Sequence, residues 1–182
     1  MNAAKKSERA RLQHAVDCIE AVFDIAGDVG SRRLASAMLE PPDDMRGEDY
    51  AIRTAVMSLY GQMAEETTLM DARIGERLAR AGVDMAELAG RDRNLAAHEA
   101  DGADPAEVHA KIADGTLAET GRVFSEALAE LVRDGAFFMP GQLEDEVVKA
   151  AGSSPAPGEY EAALKRRIEA AEKEVGRIRR RW

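Results

Sequence analysis

The stretch DYAIRTAVMSLYGQMAEETTLMDARIGERLARA, residues 49–81, decides the fold class. Ile52, Val56, Leu59, Met63, Met70, Ile74 and Leu78 recur at three- and four-residue steps, with Thr67 filling the position between. That period puts them on one face of a helix. The spacing predicts a single long helix over 49–81, ended by Gly82. Gly61 and Gly75 weaken it by about 1 kcal/mol each relative to alanine, which predicts a bend or a close approach at those points.

The same period extends outward in both directions. Upstream, Leu12, Val16, Ile19, Phe23 and Ala26 define the apolar face of a helix over 7–26, broken at 28–30. A short helix over 32–39 follows, stopped by Pro41 and Pro42, and 41–48 is a loop. Downstream, Asp84 caps a helix over 85–99, and Asp104-Pro105 starts a short one that ends near Gly115. Thr116 and Glu119 form a capping box opening a helix to about Asp134, with Phe124, Leu128, Leu131 and Val132 facing inward. Phe137, Phe138 and Met139 sit in a turn over 135–142, and 145–151 makes a further short helix.

Composition agrees. Apolar residues make up 45 % of the 182-residue chain, enough for a buried core, yet aromatics are only 4 %. Alanine and leucine dominate over strand-favouring residues, which predicts an all-α, up-and-down helical bundle. The single cysteine, Cys18, excludes an internal disulfide and fits a reducing cytoplasm. The N-terminus has no apolar core, so no signal peptide is expected. No apolar run reaches membrane-spanning length, so no membrane partner is expected and a cytoplasmic location is.

The last segment differs from the rest. Residues 152–158, GSSPAPG, read as a linker between a bundle over 1–151 and a C-terminal helix over 159–182. In that helix Leu164, Ile168, Ala171, Val175, Ile178 and Trp182 make a heptad seam. It carries eight Lys/Arg against five Glu, a net of +3; the whole chain is −9, which leaves −12 on residues 1–158. An acidic body repels nucleic acid at long range and disfavours a general DNA or RNA binder, without excluding a local basic site. The basic run is either a solvated helix face or an arm that holds RNA. The seam packs in cis or on a second copy.

Three histidines are present. His14 and Cys18 lie four apart on the first helix, where packing is the ordinary reading and metal binding the rarer one. His109 reads as a surface or partly packed residue without a task. His98 has different company, in the run RNLAAHE at 93–99. On a helix Arg91, Asn94 and His98 fall along one stripe, with Arg93 on its flank. An imidazole can move a proton to or from a ribose 2′-OH or a 5′-oxygen. A guanidinium can grip the phosphate and stabilise the charge that develops on it. Asn94 can orient the imidazole or bond a phosphate oxygen. The bare spacing of arginine and histidine is also what a solvated polar face provides.

The neighbourhood of that run resembles the motif helix of HEPN domains, in particular the HepT-like toxins. There an R-N-x-x-x-H-E run follows a small Ala-Gly step, here Ala89-Gly90. The resemblance extends in order and spacing over about 8–134. It takes in the stretch from His14, the helix with Asp49 and Gly61, and the short helix with Glu107 and Val108. It implies a helical bundle that forms a homodimer, with two motif helices facing across a cleft to make a composite, metal-independent endoribonuclease site with no cofactor. Carried over residue by residue, Arg93, Asn94 and His98 are the catalytic set, and Arg91 is a substrate-binding candidate. The implied partners are an RNA substrate and a cognate antitoxin. One position departs: Ala100 stands where HepT-like proteins carry the tyrosine that a nucleotidyltransferase antitoxin modifies. The alternative reading is a catalytically silent helical interaction or adaptor module, HEPN-like or of the phage-assembly type.

Overall fold

A computed structural model describes residues 7–45, 47–88, 103–137 and 159–180. Among them the chain is an all-α helical bundle with no strand. The helices are α1 (Glu8–Val29), α2 (Ser31–Leu39), α3 (Gly47–Thr68), α4 (Ala72–Arg80), α5 (Met85–Leu88), α6 (Pro105–Ala113), α7 (Thr116–Phe137) and α8 (Glu159–Arg179), with a 3₁₀ turn at Pro42–Asp44. The chain divides into two compact units, Met1–Ser125 and Glu126–Trp182.

Local chemistry sets the helix ends of the first unit. Ser7 caps α1, its hydroxyl accepting from the Ala10 N–H at 3.2 Å. Gly30 turns the chain at φ +78°, a conformation that a side chain would oppose, and α2 starts on the next residue. Leu12, Ala15, Val16, Cys18, Ile19 and Val22 form the buried face of α1. Phe23 and Ala26, expected on that face, are half-buried.

The long helix expected over 49–81 is two helices. α3 ends at Thr68 and α4 begins at Ala72. Asp71 makes the break: its carboxylate accepts from the Arg73 N–H at 2.9 Å as the cap of α4. Its own N–H donates to Glu8 Oε1 at 3.0 Å, across to the start of α1. Met70 within the break and Ile74 and Leu78 beyond it are still buried, so the apolar period runs through it undisturbed. Gly61 has open space where a Cβ would stand, whereas a Cβ at Gly75 would meet Met85 Sδ at 2.9 Å. The close approach is therefore at Gly75 alone.

α3 is the centre of this unit, packing against α1, α2, α5 and α6. Val56, Tyr60, Met63 and Thr67 are its buried side chains, together with Asp49 and Glu66. α2 also packs against α1 and α6, and α4 against α5. Arg53 of α3 donates to the carbonyl oxygens of Ala37 (2.7 Å) and Glu40, which closes the C-terminal end of α2.

The entry to α7 differs from a capping box. Asp114 Oδ1 accepts from the Thr116 N–H at 2.8 Å, after Gly115 turns the chain at φ +87°. The Glu119 carboxylate does not reach back; it accepts from Arg122 Nε at 2.9 Å. A carboxylate two residues ahead of the helix is the stronger acceptor for its first N–H groups. Leu117, Thr120, Val123, Phe124 and Ser125 are buried in the first unit. α7 then runs through Gly135 to Phe137, past the expected start of a turn, while Phe138 and Met139 lie outside the described residues, as does 145–151.

In the second unit Ala127, Leu128, Ala129 and Val132 of α7 are buried, with Leu131 half-buried. α8 confirms a helix in the C-terminal segment. Its seam is covered unevenly: Val175 and Ile178 are buried, Ile168 and Ala171 half-buried, and Leu164 is exposed. The expected linker, 152–158, lies outside the described residues, as does Trp182.

Candidate functional site

The sequence-derived site residues Arg91, Arg93, Asn94 and His98 lie outside the described residues, with Ala100. What is described is the chain on either side of them. Upstream, Asp84 caps α5 by accepting from the Ala86 N–H at 2.8 Å, and Val83 and Leu88 are buried. The Leu88 carbonyl accepts from the hydroxyl of Tyr60 on α3 at 3.1 Å. Tyr60 is 4 % exposed. Burial pushes its hydroxyl up to about 12, and the negative charge of Glu107 adds to the effect.

Downstream, the chain is fixed as firmly. Asp104 caps α6, accepting from the Ala106 N–H at 2.9 Å, and Pro105 occupies the first helical position, where its missing N–H costs nothing. Val108 is buried, and His109 is half-buried. Because α3 packs against both α5 and α6, one helix holds the chain before and after residues 89–102. Pairing of that kind reduces the conformational freedom that any site built between the two anchors must give up.

A second group of ionisable residues was not foreseen as a group. His14 Nδ1 lies 2.9 Å from Glu66 Oε1, and Arg11 Nη1 lies 3.6 Å from Glu66 Oε2. An ionised carboxylate only accepts, so Nδ1 donates. Glu66 is 8 % exposed, and a carboxylate at that depth needs compensation by hydrogen bonds and positive charge. The cluster ties α1 to α3. Cys18, the neighbour weighed with His14 from spacing, is itself buried in the α1 face. Among the described residues no three His, Cys, Asp or Glu side chains are grouped to hold a metal ion. The signal that was available is Glu66 itself, an acid placed three residues after Met63 and beside Thr67 on a buried face.

A parallel link joins α2 to α3. Arg33 donates to Glu48 and, at 3.2 Å, to the buried Asp49, and both acids push the guanidinium pKa upward. In the second unit, a cleft of about 350 Å³ is lined by Arg133 of α7 and by Ile168, Ala171, Glu172, Val175, Gly176 and Arg179 of α8. It offers apolar contact and charge, and no nucleophile paired with a base. No helix among the described residues is long and apolar enough to cross a membrane. No family model, curated protein or solved structure matches this chain.

Proposed function

We propose that this chain is a HEPN-type, metal-independent endoribonuclease of the toxin or anti-phage kind, acting as a homodimer with a composite Arg/His site. The observation that carries the reading is the run RNLAAHE at 93–99, with the resemblance in sequence order and spacing around it over about 8–134. Support comes from the two anchors on α3, since a motif segment must be held at both ends to be positioned.

In this reading His98 removes the proton from a ribose 2′-OH, whose oxygen attacks the adjacent phosphorus. The bond from phosphorus to the 5′-oxygen breaks, and that oxygen takes up a proton as it leaves. Arg93 bears on the phosphate oxygens as negative charge develops, and Asn94 orients the imidazole or the phosphate. Arg91 contributes to holding the substrate. A cognate antitoxin is part of the proposal, and with Ala100 in the tyrosine position it neutralises by a route other than modification of that residue.

The test compares RNA cleavage and growth arrest by the wild type and by His98→Ala, with a chelator present in the cleavage assay. Loss of a general acid or base lowers the rate by roughly 10²–10⁴-fold. Equal cleavage by both proteins in a sensitive assay sinks catalysis by this histidine. A second reading, a catalytically silent interaction or adaptor module, is favoured by Ala100 and by the −12 charge on residues 1–158. It requires that neither protein cleave RNA.

A further inference from the structure

The charges of α8 are sorted by face. Arg166, Lys173, Arg177 and Arg180 are all exposed, Arg180 standing one residue past the last helical position. At 100° per residue, positions i, i+7, i+11 and i+14 fall within about 60° of one another. They form one stripe, about 21 Å long at 1.5 Å per residue. The seam residues Ile168, Ala171, Val175 and Ile178 lie on the opposite side, where Val175 and Ile178 are buried. The helix is thus docked by its apolar face with the cationic stripe outward.

Of the five acids of α8, Glu159 shares the azimuth of the stripe one heptad before Arg166, and the other four lie off it. Glu169, at the edge of the stripe, lies 4.0 Å from Lys165. Glu172 lines the cleft with Arg133 and Arg179, on the seam side. Glu174 is half-buried on the flank. From Lys173 to Arg180 no acid stands on the line; such a run of cations is complementary to a line of phosphates, and screening over about 8–10 Å lets it act apart from the acidic remainder of the chain.

We propose that the outward stripe Arg166, Lys173, Arg177 and Arg180 is a docking surface for the phosphate backbone of single-stranded RNA. The proposal rests on the reading that this chain acts on RNA, and it adds a surface on the second unit that reads no sequence. Lysine and arginine at this spacing meet phosphates as charges, so binding follows strand charge and not base identity.

Binding of a labelled single-stranded RNA 12-mer to the full-length chain, followed by fluorescence anisotropy from 50 to 200 mM salt, tests it. His98→Ala is used so that the strand stays intact. Four phosphate contacts give a log–log salt slope of about −2.8 and a loss of about 50-fold in affinity across that range. Arg166→Gln with Lys173→Gln reduces the slope by about 1.4, and all four substitutions remove it. Arg32→Gln with Arg80→Gln, off the stripe, leaves it unchanged. These side chains are exposed, so the variants retain the fold, which helical circular dichroism verifies. An unchanged slope in the fourfold variant overturns the proposal. So does conversion of a dimer to a monomer with RNA binding unaltered, which assigns the stripe to the acidic body of a second copy. RNA held through the stripe by a wild type that cuts nothing supports the docking surface and overturns only the nuclease reading.

Discussion

Replacing Tyr60 with phenylalanine removes one hydroxyl and nothing else. That hydroxyl donates to the Leu88 carbonyl at 3.1 Å in a buried setting, so the substitution leaves a buried acceptor without its donor. Such a loss costs about 1–2 kcal/mol near neutral pH. For a chain of this length it lowers Tm by roughly 2–8 °C. The pH dependence makes the prediction specific. The folded hydroxyl is raised to about 12, above its unfolded value, so its contribution is complete below pH 10 and is lost as pH rises toward 12. At pH 11 the unfolded tyrosine is mostly ionised and the folded one mostly not, which removes about 1.4 kcal/mol from the wild type alone. Urea midpoints of the wild type and Tyr60→Phe, taken at pH 8 and pH 11, should therefore differ at the lower pH and converge at the higher. Lysine, arginine and the remaining tyrosines titrate alike in both proteins and cancel in the difference. A gap that stays constant from pH 8 to pH 11 refutes the assignment of the raised hydroxyl. No gap at pH 8 refutes the hydrogen bond as a source of stability.

Two further substitutions read the local structure. Gly61→Ala meets nothing within 4 Å and lies inside α3, so it should stabilise the chain by about 1 kcal/mol, seen as a higher urea midpoint. Asp114→Ala removes the acceptor for the Thr116 N–H and should cost about 1 kcal/mol at pH 7. Hydrogen bonds from the Thr116 backbone and hydroxyl hold the Asp114 carboxyl below its ordinary value. That contribution is present above the unfolded value and lost as pH falls through the folded one, so the gap between the two proteins should begin to close below about pH 4 and vanish once pH lies below the folded value.

The elements visible in the chain are those whose ends carry their own chemistry. Ser7 before α1, Gly30 after it and Asp104-Pro105 before α6 each act within three residues, and each stands where local reasoning puts it. The break between α3 and α4 was hidden for the opposite reason. Met63, Met70, Ile74 and Leu78 keep helical spacing through it, and the residue that decides it, Asp71, is held partly by Glu8 from another helix. Periodicity reports which face is apolar, not whether the backbone under that face is continuous. Thr116 and Glu119 had the pattern of a capping box, but Asp114 and Arg122 took their partners.

The candidate site divides the same way. The run at 93–99 is legible because its residues are adjacent in sequence. The anchors on either side were not, because the Tyr60 hydroxyl and the Leu88 carbonyl are 28 residues apart. Likewise His14 and Glu66 are 52 apart, and spacing offered only Cys18 as a companion for that histidine. The basic stripe could be counted from composition, yet its direction needed the burial of Val175 and Ile178 to fix which side of α8 faces outward.

The contact of Glu66 with His14 and Arg11 has a consequence for how this chain can vary. Exchanging the acid alone removes the acceptor that His14 and Arg11 share, and exchanging either of those alone takes one of these contacts from a carboxylate at depth. Replacing Glu66 and Arg11 together with apolar side chains of matching volume avoids leaving a buried charge unmatched. Each single step toward that end passes through a less stable protein. The three positions thus act as one unit, in which a change at one alters what the other two require.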